Sequence, residues 1–225
     1  MVYKLGAFGA GHAITALTVK CGHYDKRRTR MDNWQDKLAI TEVVQQWALW
    51  RDSGDWAPLR SAYTSGGRMT TMWFDGPADD FIAACRAGYG KGNTSGHFIC
   101  GSTVRVHGAK ALANSRLILV MRTRLGEVPV DITSNGRFVD RFVRENGKWG
   151  IEHRRTVYDK DHMVAVTPGA ALRLDGAELQ GYAEGYRHLA YVQKRAGRGL
   201  TPNTPTPGSE ALAHLYRDDD AWLVA

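Results

Sequence analysis

A chain of 225 residues, 43% hydrophobic and 24% charged, is long enough for one domain with a real core plus extensions. Its formal charge of +7 invites a nucleic-acid reading, but Lys4, Lys20, Lys26, Arg27, Arg28 and Arg30 against Asp25 put +5 of it in residues 1–30, leaving +2 (7 minus 5) for the rest. The basic character therefore belongs to a tail, and no nucleic-acid face is expected on the folded part.

No apolar run is long enough to span a bilayer, so no membrane association is expected. Cys21, Cys85 and Cys100 show no CxxC spacing, which gives neither a disulfide framework nor a zinc site. A reducing cytoplasm is the simplest compartment. Residues 1–30 hold an apolar middle, but their positive charge follows it, the wrong order for a signal peptide. This segment is expected to be disordered, with Met31 as the natural start.

From Met31 the sequence MDNWQDKLAITEVVQQWALWRD reads as a helix capped by Asp32 or Asn33. Leu38, Ile40, Val43, Val44, Trp47 and Trp50 make its apolar stripe, and Gly54 ends it. DWAPLRSAYT reads as a short second helix. RMTTMWFDG is a strand with Met69, Thr71 and Trp73 on one face. ADDFIAACRAGYG is a third helix, with Phe81, Ile82 and Cys85 inward. Four strands follow, HFICGSTVRVHG, AKALANSRLILVMRTRLG, VPVDITSNGRFVDRFVREN and KWGIEHRRTVYD, with turns at Gly108 and Asn146-Gly147. Long alternating strands after a helical start predict an α+β fold, a curved sheet wrapped on helices. Residues 31–163 form this body. Residues 164–225 are an extension, with a linker at TPNTPTPG and one short helix near Tyr182–Tyr191, packing on the body or on a neighbouring subunit.

The chemistry-bearing residues concentrate in WRDSGDWAPLR and GHFICG. Asp52 sits at a helix C-terminus, where the helix dipole disfavours negative charge by a few tenths to ~1 kcal/mol. It needs a compensating partner. On its own it reads as a surface acid paired with Arg51 or Arg60, and His97 reads as a strand residue bonded in the core. If His97 points inward, alternation points Ile99 and Gly101 inward too, and Leu117, Leu119 and Met121 share a face on the next strand. Trp47, Tyr63, Met69 and Trp73 are candidate walls suited to a flat aromatic molecule, though each also reads as plain core. Arg51 is a candidate anion holder, and Asp140 a candidate second acid. Arg122, Arg137, Arg141, Arg154 and Arg155 are further candidates to hold a phenolate, carboxylate or leaving oxygen, and most of them are expected to be solvated charges on the outer sheet face.

The order of elements across Asn33–His162 resembles the SnoaL-like branch of the nuclear-transport-factor-2-like superfamily, whose fold is a cone-shaped α+β barrel around an apolar cavity. The two motifs are similar to those of scytalone dehydratases, and Asp52 and His97 stand where hexachlorocyclohexane dehydrochlorinases carry their catalytic pair. The resemblance implies Asp52 and His97 as catalytic residues of a cofactor-free, metal-free lyase. Met121 stands in the place of the dehydratases' second histidine, and Arg51 and Thr71 in the places of their two tyrosines. The carried-over chemistry is thus elimination of water, halide or formaldehyde from a small aromatic or polyketide-like substrate. An aldol-type cyclase or isomerase, and a non-catalytic ligand-binding or oxygenase small-subunit-like module, are the alternatives on the same scaffold. The resemblance also implies a homodimer or homotrimer.

Overall fold

The computed structural model describes residues 33–92 and 94–225; the expectation for residues 1–30 lies outside them. Helix α1 runs Trp34–Ser53 and buries Ile40, Val44, Trp47 and Ala48. Leu38 is 60% exposed rather than in the stripe. At ~100° per residue it lies on the far side of the helix from Ile40. Asn33 holds the N-cap position but makes no side-chain cap bond, and Asp32 lies outside the described residues. At the other end Gly54 takes the left-handed conformation (φ 76°), and the cap closes with a backbone bond to the Trp50 carbonyl.

Helix α2 (Trp56–Ser61) is shorter than its sequence suggests. The Ile151 N–H bonds the Ala62 carbonyl, and Tyr63 already pairs with Ile151. Strand β1 (Tyr63–Thr71) therefore continues through Gly66-Gly67, with a register shift against β6 between Tyr63 and Arg68. A side chain at Gly67 would meet the Ile151 carbonyl at 2.8 Å, so glycine serves a close approach there, not a turn. The expected strand Arg68–Gly76 is a hairpin, with β2 (Phe74–Pro77) folding back on β1. Helix α3 spans Ala78–Gly88 and buries Phe81, Ile82 and Cys85.

Strands β3 (Thr94–His107), β4 (Lys110–Leu125), β5 (Val128–Glu145) and β6 (Lys148–Ala165) form an antiparallel meander. Asn146 and Gly147 both take positive φ in the last turn. The sheet order is β2-β1-β6-β5-β4-β3, with β1 parallel to β6. The fold is α+β with a curved mixed sheet, and the sheet stays open, so it is not a closed barrel. Register shifts at Ile99/Gly101, Asn135/Gly136 and Arg141/Phe142 supply bends. The first also corrects the alternation on β3. One extra residue swings Gly101 outward, and Ser102, Val104 and Val106 become the less exposed face.

The extension forms α4 (Gly176–Gln180), a 3-10 turn (Glu184–Tyr186), α5 (Arg187–Arg195) and α6 (Glu210–Val224). Both longer helices pack on the body of the same chain. Leu189, Ala190 and Val192 of α5 join Met72, Ile132 and Tyr158 in a second core cluster. The linker is tied down as well, with the Thr201 N–H bonded to the Met72 carbonyl and the Tyr158 N–H to that of Pro205. Helix α6 lies on the outer sheet face. Its Asp219 accepts from Arg141 Nε at 2.7 Å and from Arg155 Nη1 and Nη2 at 2.6 and 3.0 Å. These arginines were expected to be solvated; α6 covers them instead.

His153 lies on the same outer face, 2.8 Å through Nε2 from Thr70 Oγ1. Burial, then Arg155, Arg68 and Arg141, hold its pKa down at about 3. The unfolded chain therefore takes up a proton near pH 6.5 that the folded chain refuses until far lower pH. Stability falls as pH drops across that window, by up to ~1.4 kcal/mol per pH unit for this group. Between pH 7 and 4.5 the wild type should lose about 2 kcal/mol more than His153→Gln in urea titrations. Equal losses would remove this account.

Candidate functional site

The open side of the sheet, α1, α3 and α5 enclose a cavity of about 380 Å³. Its wall is largely apolar, with Trp47, Met69, Trp73, Phe81, Leu117 and Phe138 among the lining residues. Asp52 enters from the end of α1 and His97 from the start of β3. Asp52 Oδ1 lies 2.7 Å from His97 Nδ1, and Oδ2 accepts from the His97 backbone N–H at 2.6 Å. One carboxylate thus grips both the ring and the peptide of the same residue. Those two donors supply the compensation that an acid at a helix C-terminus needs. The side chains are 12% (His97) and 21% (Asp52) exposed, partly withdrawn from solvent but open to the cavity. The Trp47 and His97 rings pack edge to face, with centroids 5.7 Å apart and planes at 89°. Tyr89 donates to the Ser53 carbonyl and packs over Gly54, pinning the helix end that carries Asp52.

With Nδ1–H committed to the carboxylate, Nε2 is the nitrogen left to take a proton. An ionised carboxylate behind it favours the imidazolium once formed. Among the described residues, no three His, Cys, Asp or Glu side chains gather as a metal site.

Trp47, Arg51, Thr71, Trp73, Leu119 and Met121 line the cavity alongside the pair. Three other expected contacts do not. Tyr63 is core: its hydroxyl accepts from Trp47 Nε1 at 2.9 Å and donates to Met69 Sδ, and burial pushes its phenol up. Ile99 packs against the main core cluster. Asp140 is wholly buried and accepts two bonds from Arg154, at 2.9 and 2.7 Å, so it is an internal ion-pair partner, not an acid facing a ligand.

Sequence reading missed Tyr158 on β6, and Leu189, Val192, Gln193 and Arg198 from the extension, all of which line the cavity. Tyr158 could have been found by continuing the alternation through Arg154 and Thr156. The tail residues carried no local signal.

The model of the SnoaL-like domain family matches residues 32–155. Pea pathogenicity protein 2 of Fusarium vanettenii is 32% identical over 196 residues, covering 84% of each chain. Among solved structures, a hexachlorocyclohexane dehydrochlorinase of type 2 superposes with a TM-score of 0.52 at 10% identity, covering 65% of this chain and 99% of its own. A scytalone dehydratase homologue from Novosphingobium aromaticivorans gives 0.50 at 15% identity, covering 63% and 97%. These structural likenesses speak for the fold. The family match spans more than half of the sequence, and the fungal relative extends the likeness through most of the rest: the chain belongs to the SnoaL-like domain family.

Proposed function

We propose that the protein is a cofactor-independent lyase that eliminates water, halide or formaldehyde from a small aromatic or polyketide-like molecule. The observation that carries this reading is the double grip of the Asp52 carboxylate on His97. His97 Nε2 removes a proton from a carbon made acidic by its neighbour. For water or halide the C–H electron pair forms the new double bond, and the leaving group departs with its own bonding pair. For formaldehyde the base takes the hydroxymethyl O–H proton instead, the O–H pair forms the C=O of formaldehyde, and the broken C–C pair passes into the substrate's conjugated acceptor. Asp52 holds the tautomer and balances the imidazolium until the proton moves on. A positioned base of this kind contributes about 10²–10⁴-fold. The apolar wall supports an aromatic ring beside it.

The test is a screen of aromatic catabolic intermediates for cofactor-free conversion, followed by ultraviolet absorbance for new conjugation. A converted compound should be left untouched by His97→Ala at matched fold. Turnover by His97→Ala at the wild-type rate would dismiss His97 as the base, and no conversion of any compound by the wild type would leave a binding module. A homodimer or homotrimer in the cytoplasm belongs to the same proposal, and light scattering of the purified protein measures its assembly. Exposed Phe98 on β3 supports a contact surface outside the cavity.

A further inference from the structure

Two guanidinium groups line the apolar cavity, from opposite ends of the sequence. Arg51 precedes Asp52 at the end of α1. Arg198 follows α5 in the extension, beyond residues 32–155 of the family match. Both are half-buried. Both act on one thiol, that of Cys85 on α3. Both arginines oppose the upward push that burial gives it, Arg51 more than Arg198. Arg51, Cys85 and Arg198 all line this one cavity. Arg198 stands with its guanidinium carbon 4.5 Å from the Trp73 ring centroid and donates through Nη1 to Gln193 Oε1 at 3.0 Å. Its Nη2 points toward Gly88, at the end of α3.

Neither has a carboxylate partner among the described residues. Many of the other arginines do. Arg60, Arg122, Arg137, Arg141, Arg154 and Arg155 each hold an aspartate. A thiol and an amide oxygen are weak company for two guanidinium forks. Each fork offers paired N–H donors spaced for a carboxylate. The cavity's own carboxylate, Asp52, is taken up by His97. The chamber thus holds two guanidinium groups against one carboxylate whose oxygens are both engaged elsewhere, inside walls that strengthen electrostatics.

We propose that Arg51 and Arg198 form a two-guanidinium clamp for a carboxylate group on the ligand, so that the cavity selects small aromatic acids over neutral aromatics. The inference rests on reading this cavity as the small-molecule site, but not on the base chemistry of His97. Arg51 and His97 line the same cavity, so an acid held by Arg51 shares the chamber with the imidazole. Arg198 makes the extension part of the binding site, as a specificity-determining residue.

Equilibrium binding tests it on the full chain, with cinnamate and its neutral isostere cinnamamide as probes, titrated by tryptophan fluorescence and calorimetry. The wild type should bind cinnamate at least 10-fold more tightly than cinnamamide. Arg51→Gln and Arg198→Gln should each weaken cinnamate by about 10–100-fold, the range for a lost bond to a charged group, with cinnamamide unchanged. Arg198→Lys keeps the charge, loses the fork and should fall between. Circular dichroism melting shows that each variant is folded. Binding of these probes needs no turnover, so a failed lyase reading leaves this result standing. Equal affinity for acid and amide, cinnamate binding unchanged in both glutamine variants, or no binding of either probe by the wild type would overturn the clamp.

Discussion

Replacing Asp52 by asparagine is expected to lower kcat on any substrate the protein converts by about 10²–10⁴-fold, with little change in KM. The reason is an acceptor count. In the native site the two carboxylate oxygens each accept one bond from His97, one from its peptide N–H and one from its ring. An asparagine has one carbonyl oxygen, so its amide NH2 must face one of those two donors. If it faces the ring, the imidazole shifts its proton to Nε2 and can no longer act as a base toward the cavity. If it faces the peptide, two N–H groups oppose each other and the β3 entry shifts. Either way the imidazolium loses its counter-charge. Steady-state kinetics beside a urea titration would separate the effects, with a stability loss of about 1–3 kcal/mol. A variant within threefold of wild-type kcat would mean that Asp52 only holds the strand.

Asp140→Ala should be the most destabilising single change in the fold, by about 3–5 kcal/mol. Asp140 and Arg154 are both fully buried, facing each other across β5 and β6. The guanidinium carbon also lies 4.5 Å from the Trp47 ring centroid and 4.1 Å from that of Phe138. Removing the carboxylate strands a cation in that aromatic surround, where Arg154 Nη1 already lacks a partner. Removing both charges, as in Asp140→Leu with Arg154→Met, should recover most of the loss, because the desolvation cost of both ions disappears together. Denaturant midpoints measure both variants. Because Trp47 and Phe138 also line the cavity, the single variant should loosen the ligand site as well. A loss below about 1 kcal/mol for Asp140→Ala would show that the pair is solvated in practice.

Local signals carried much of the architecture. Period-two alternation and glycine turns put the four long strands nearly where they run, and the Gly54 stop was legible because only the left-handed conformation closes that helix end. Signals failed where one residue changes the outcome. The extra residue before Gly101 reverses a face without altering composition, and the Met72–Trp73 turn looks like continuing strand. Tyr63 and Asp140 fit a wall by type, but only packing shows that Trp47 and Arg154 occupy them.

The chain by itself determined the types of group available: an acid at a helix end, an imidazole at a strand start, aromatic stripes and a basic leading segment, all consequences of short-range spacing and charge. Tertiary structure alone decided which of them meet. It joined Asp52 to His97 across 45 residues, sank Asp140 onto Arg154, laid Asp219 over Arg141 and Arg155, and brought Arg198 to the chamber of Arg51. Such meetings depend on long-range sheet register and on where the tail docks, and neither leaves a mark in a local window of sequence.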